Sequence, residues 1–238
     1  MSQQVSPPRQ PRPSRLDVPA LACDTHAHVF VPEGVHPYAP RRPYTPAAGT
    51  DLTAYRTMLQ TLGIARAVLV HSNIYGPDNR ATSDALAAMG GQFRGVALIR
   101  PDIDDVALSA LDEAGMRGIR INLEFPGELD LAGVEAMAGR LAGLGWHLQM
   151  LVKLDQLPRI AERLTALPLD VVVDHMGLPA SDASQQSRGF RTLLALLETG
   201  QCWVKLSAPY YAKADGPAYD HGLAIALTLF RARPDRML

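Results

Sequence analysis

Cysteine is scarce in this chain: Cys23 and Cys202 are the only two among 238 residues. So few exclude a disulfide framework and point to a reducing compartment. An excess of charge of either sign is lacking too. A total of 23 Lys and Arg against 24 Asp and Glu leaves a net charge of −1, so no basic field exists to hold nucleic acid or an anionic membrane. No apolar run reaches the roughly 20 residues that span a bilayer. Residues 1–19 also lack the apolar stretch of a secretory signal, carrying instead Pro7, Pro8, Pro11, Pro13 and Pro19 among Gln, Ser and Arg. Dense proline and low hydrophobicity predict a disordered lead-in over 1–20, before one domain over 21–238. A cytoplasmic protein acting on a small molecule is the expectation.

What the chain does have is alternation. Strands are predicted over 22–30, 65–71, 95–99, 118–123, 147–152, 171–175 and 202–206, and helices over 51–62, 79–89, 104–114, 131–144, 154–167, 187–198 and 219–233. Runs such as Ala65-Arg66-Ala67-Val68-Leu69-Val70 are nearly continuous in apolar residues, as parallel strands covered by helices on both faces require. Strict strand–helix order leaves a doubly wound sheet or a closed barrel. No Gly-x-Gly-x-x-Gly turn follows the first strand, and polar residues stand at several strand ends, so a TIM-like (β/α)8 barrel is the fold expected. Seven strands are complete. An eighth would begin at Arg236-Met237-Leu238, leaving that strand and the final helix largely missing.

The sharpest chemical signal is Asp24-Thr25-His26-Ala27-His28 at the end of the first strand. Residues two apart on a strand share a side, so His26 and His28 should project together, with Asp24 a layer beneath. A second signal is Val172-Val173-Asp174-His175-Met176-Gly177, which closes the sixth strand. Strand alternation would turn His175 inward and Asp174 toward the helices. Each motif alone competes with an ordinary surface or strand-capping histidine; together they put three imidazoles at the end of the barrel where catalytic residues sit. Imidazoles can share a metal or flank a substrate carbonyl.

These motifs, with Tyr38-Ala39-Pro40, Tyr44-Thr45-Pro46, Tyr75-Gly76-Pro77-Asp78-Asn79, Arg117-Gly118-Ile119-Arg120-Ile121-Asn122, Gly145-Trp146-His147 and Cys202-Trp203-Val204-Lys205-Leu206-Ser207, resemble the amidohydrolase-related family. The similar branch is the one holding 2-pyrone-4,6-dicarboxylate lactonase and sugar lactonases. The resemblance implies hydrolysis of a small cyclic ester, with His26, His28 and His175 holding and polarising the carbonyl. It also implies an Asp at the end of strand eight as general base, in a segment that these residues do not include. On that footing the 238 residues alone are expected to be almost inactive, a truncated copy of a longer hydrolase, and to self-associate through the open barrel edge. Asp235, ahead of the eighth strand, is at the wrong end to replace that acid. Two alternatives stay open: a zinc-dependent decarboxylase of the same superfamily, and a non-catalytic barrel remnant.

For cofactors the expectation is none, or a single divalent metal such as zinc held by His26, His28 and His175. Strands four and five end in Arg120-Ile121-Asn122 and Gln149-Met150-Leu151-Val152, which add no further ligand, and His147 sits at the wrong end of its strand. Arg120, Tyr44 and Ser72 are the candidate substrate-binding residues; His71 beside Ser72 is expected to face the same region. Arg120 could grip a carboxylate, or else pair with Glu124. Tyr44 has packing of the Pro-rich loop as its alternative. Pro126, Leu178 and Pro209-Tyr210-Tyr211 stand where the family's further arginines are expected, so a monocarboxylate, neutral sugar or muconate-type lactone is expected over the pyrone dicarboxylate. Lys205 reads as structurally paired, Cys23 and Cys202 as small apolar strand residues, and Met150 and Trp146 as core. Trp203 is expected between strand and helix layers.

Overall fold

The structure, a computed structural model, describes residues 3–4, 7–180, 185–212 and 219–238. They form two compact units: Met1–Arg120 with Gly127–Leu129, and Ile121–Pro126 with Asp130–Leu238.

In the first unit, β1 (Gln3–Gln4) pairs in parallel with β3 (Tyr44–Thr45), an ordered pairing inside the lead-in expected to lack structure. The main strands are β2 (Cys23–Ala27), β4 (Arg66–Val70), β5 (Phe93–Ala97) and the start of β6 (Met116–Asn122), each parallel to the next. Helices α1 (Leu52–Leu62), α2 (Arg80–Met89) and α3 (Asp105–Glu113) stand between them. Leu69, Val96, Met116 and Ile119 are fully buried. Gly95 makes room for that packing, since a Cβ there would lie 2.3 Å from the Met116 sulfur.

The second unit continues the alternation: α4 (Leu131–Gly143), β7 (His147–Leu151), α5 (Leu157–Thr165), β8 (Val171–Val173), α6 (Arg188–Glu198), β9 (Cys202–Val204) and α7 (Asp220–Ala232). Strands β7, β8 and β9 pair in parallel in that order. Leu131, Val134, Met137, Ala138 and Leu141 are the buried residues of α4, a stripe at helical spacing that faces this unit's core. Trp146 and Met150 are buried, as expected of core residues. Gly189 is required by contact: a Cβ there would meet the Leu154 carbonyl oxygen at 2.1 Å, and backbone cannot step aside.

The class is therefore α/β, with parallel strands and helices in the chain order of a TIM-like barrel. Predicted and observed boundaries differ mostly by a residue or two, for a physical reason. Asp51, Asp104 and Ser187, read as the first helical residues, are N-caps whose side chains accept from Ala54, Ala107 and Phe190 N–H groups. At β9, Met237 bridges Val204, Leu238 N–H donates to the Val204 carbonyl (2.9 Å), and Leu206 N–H donates to the Leu238 carbonyl (2.8 Å). The last residues thus lie along β9 where an eighth strand was expected to start. No helix among the described residues is long and apolar enough to cross a membrane.

Candidate active site

In the first unit the histidine pair sits where β2 runs out. His26 and His28 have ring centroids 5.1 Å apart in an edge-on arrangement, so the two imidazoles are neighbours as their spacing predicts. Asp24 does not lie beneath them. Its carboxylate accepts from the His26 backbone N–H (3.1 Å) and from the hydroxyl of Tyr55 on α1 (2.9 Å), so it faces the helix. Register between β2 and β4 slips between Asp24 and Ala27, which breaks the alternation the prediction relied on. Burial, together with the adjacent Asp24 charge, pushes the Tyr55 hydroxyl pKa well up, so it stays a proton donor to Asp24.

His28 Nδ1 lies 2.6 Å from the Val70 carbonyl. A carbonyl only accepts, so Nδ1 carries the proton and a neutral His28 presents Nε2 as a lone pair. The same second-partner arrangement orients metal-binding histidines. His71 is the contrast. It does not face an open region but is fully buried, with Nε2 donating to the Gly76 carbonyl (3.1 Å) and Nδ1 2.7 Å from the Thr82 hydroxyl. Burial pulls its pKa down to about 4, so at neutral pH it is an uncharged core residue with both nitrogens engaged.

Tyr44 and Ser72 are brought together, hydroxyl to hydroxyl at 3.1 Å. Ser72 also caps the short 3-10 turn that begins at Asn73, and Tyr44 packs with Phe30 and Tyr38 against Ile74 and Tyr75. Arg120, on β6, is 5 % exposed.

In the second unit, β8 stops at Val173 and the chain enters a turn over Asp174–Gly177. His175, Met176, Gly177 and Leu178 all have positive φ, at 54°, 57°, 72° and 41°. For the three residues with a Cβ this costs on the order of 1 kcal/mol each. Backbone bonds hold the turn: Met176 N–H donates to the Lys205 carbonyl (3.0 Å) and Leu154 N–H to the Gly177 carbonyl (2.8 Å). Strain of this kind persists where surroundings over-determine it, commonly at working sites. Because the strand ends first, alternation does not set these side chains, and Asp174 faces neighbouring strand residues instead of the helices. It is 0 % exposed, accepts from Gln149 Nε2 (3.0 Å) and lies 3.5 Å from Lys205 Nζ, which donates to Gln149 Oε1 (2.8 Å). Lys205 is thus structurally paired, as its sequence context suggests.

His175 itself has Nδ1 2.8 Å from the Ser207 hydroxyl, and its ring stacks on Tyr211 with centroids 6.0 Å apart. If Ser207 donates, His175 Nε2 carries the proton and can donate in turn. Ser207, Tyr211 and Gln149 were not singled out from the sequence. Gln149 offers the one readable signal, a polar residue inside an apolar strand.

Other readings are settled or changed. Glu124, weighed as a partner for Arg120, is bonded to Lys153 and to Gln156 Nε2 (3.3 Å). Cys202 is buried, and burial raises its thiol pKa to about 12. Cys23 is exposed, against expectation, because β2 leaves its first residue at the surface. Trp203 is only partly buried: Arg236 lies 4.7 Å over its ring and its Nε1–H donates to Asp170 (3.3 Å).

The chain is also similar to known proteins. A 2-pyrone-4,6-dicarboxylate hydrolase of Comamonas testosteroni is 36% identical over 242 residues, covering 96% of this chain and 78% of that protein. A 4-sulfomuconolactone hydrolase of Hydrogenophaga intermedia is 32% identical over 237 residues, covering 98% and 78%. The crystal structure of a proposed 2-pyrone-4,6-dicarboxylic acid hydrolase from Pseudomonas putida superposes with a TM-score of 0.79 at 31% identity, covering 93% of this chain and 82% of that one. The amidohydrolase family model matches residues 23–238. With that model matching nearly the whole chain and a relative 36% identical, the chain belongs to the amidohydrolase family.

Proposed function

We propose that this chain is a lactone-opening hydrolase in which His26, His28 and His175 serve one substrate carbonyl. The observation that carries the reading is the preset orientation of His28. With Nδ1–H committed to Val70, its Nε2 lone pair can take a proton from water or ligate a cation, but a neutral His28 cannot donate there. His175, steadied by Ser207 and Tyr211, supplies the complementary function, an N–H that holds and polarises the carbonyl oxygen. Water adds to the carbonyl carbon, the ring ester C–O bond breaks, and the departing alkoxide takes up a proton. The product is a hydroxy acid.

The donor set also fits a single divalent metal such as zinc. His28 has the backbone-anchored ring of a metal ligand, and His26 and His175 are of the same ligand type. Such an ion, held by these three histidines, would supply Lewis-acid polarisation and lower the pKa of a bound water. Metal content of the purified protein, measured before and after chelation beside lactone turnover, decides between the two forms. Arg120, with Tyr44 and Ser72, is assigned to substrate binding. The relatives named above act on acidic lactones, and hydrolysis of a panel of acidic and neutral lactones tests the reading directly. Loss of one carbonyl-polarising contact in His175→Ala, measured in a full-length version, should reduce kcat/KM by at least ~100-fold. Near-normal turnover by a folded variant would remove His175 from the mechanism.

A further inference from the structure

We infer that the second unit carries an anion subsite built from Arg159 and Arg188, which takes an acidic arm of the substrate; this rests on the lactonase reading. The unit holds a cavity of about 810 Å³, within the size range of small-molecule sites, bounded by the loop after β7, the starts of α5 and α6, Leu178 and Tyr211. Tyr211 is the ring stacked on His175, so the cavity adjoins the histidine assigned to the carbonyl.

Charge inside the cavity is uneven: its lining holds Glu124 and Asp155 against Lys153, Arg159 and Arg188. Lys153 is already paired with Glu124, which leaves one carboxylate facing two guanidiniums. Arg159 and Arg188 also line the wall, and among the described residues neither guanidinium meets an acid within ion-pair distance. A single exposed arginine without a partner means nothing. Two on the neighbouring helices α5 and α6 of one cavity, beside a proposed catalytic ring, make a planar, always-charged pair suited to carboxylate or sulfonate. Leu178 also lines this cavity and adds no charge to it. Gly189 keeps the two sides of the cavity in contact, because its missing side chain lets α6 start directly on the Leu154 carbonyl.

The test is equilibrium binding, which does not depend on turnover. Citrate, a compact polycarboxylate, is titrated calorimetrically into the unmodified chain and into Arg159→Glu/Arg188→Glu. Both residues are exposed, so the fold should survive, and thermal unfolding checks that it does. Expected is a loss of affinity of at least ~10-fold, the scale of charge-assisted contacts discounted for exposure, with recovery to within a few-fold in Arg159→Lys/Arg188→Lys. Arg56→Glu/Arg231→Glu makes the same change in net charge on exposed arginines that do not line this cavity. Equal weakening by that control, unchanged affinity in the first variant, or no binding by the unmodified chain would each overturn the proposal. If citrate binding follows the arginines while no lactone is opened even by a full-length version, the subsite stands and the lactonase reading fails. If neutral and acidic lactones are opened with the same selectivity by both proteins, the reverse holds.

Discussion

Two strand ends in this molecule finish in a histidine, and they hold it by opposite means. At the end of β2 the work is done by main chain: the Val70 carbonyl fixes the His28 ring at 2.6 Å, and a register slip lets Asp24 turn away to Tyr55. At the end of β8 it is done by side chains and strain. A left-handed turn carries His175, with a buried Asp174–Lys205–Gln149 network under it and Tyr211 stacked against it. The first arrangement uses no buried charge and cannot be removed by substituting the partner's side chain. The second depends on a few named side chains, each of which can be deleted. Mutation should therefore find the second strand end brittle and the first robust.

The largest effect expected is at the buried pair. Lys205→Ala leaves the Asp174 carboxylate without its cation and should cost about 3–5 kcal/mol, whereas removing both charges in Asp174→Asn/Lys205→Met should cost much less. Denaturant unfolding of the three proteins measures this, and equal losses would mean that the pair does not act as a unit. Next is a pH effect from the third kind of histidine, the core residue His71. Its folded pKa is depressed to about 4, so between about 6.5 and 4 the unfolded chain binds the extra proton. Its contribution is fully present above pH 6.5 or so and falls as acid is added, by about 3 kcal/mol once pH 4 is reached. A stability profile from pH 8 to 4 should show that slope, and His71→Gln should flatten it. The proposed ~100-fold loss of kcat/KM in His175→Ala corresponds to roughly 2.7 kcal/mol and comes third. Smallest is Tyr55→Phe, which removes a hydroxyl donor from Asp24 and should lower stability by about 1.5 kcal/mol while leaving the His28–Val70 bond in place. A collapse of activity in that variant would show the first strand end to be as brittle as the second.

How much of this was legible in the sequence follows the same division. Apolar runs and Asp or Ser caps are local signals, so the strands and helices could be read within a residue or two, and with them the fold class. The spacing of His26 and His28 is local too, and the pair is where it was expected. Asp174 and His71 were misread because strand alternation was extended past the point where the chain leaves the strand, and Asp24 because the register slip behind it breaks that alternation within β2. Val173 is the last strand residue, and nothing in Asp174-His175-Met176 announces consecutive left-handed residues, although Gly177 and Pro179 mark a turn. The contacts of His175 with Ser207 and Tyr211 join residues more than thirty positions apart. Such partners are set by tertiary packing and leave no periodic trace in the chain.

The two cysteines, dismissed at first as too few to matter, give the molecule a built-in handle. Cys23 is at the surface, while Cys202 is buried with a thiol pKa near 12. Thiol reagents act on the thiolate, so near neutral pH a maleimide should modify one sulfur and spare the other. A dye or spin label would then enter at a single address, three residues before His26, in unmodified protein. Its signal could follow ligand binding at that strand end without any engineered mutation.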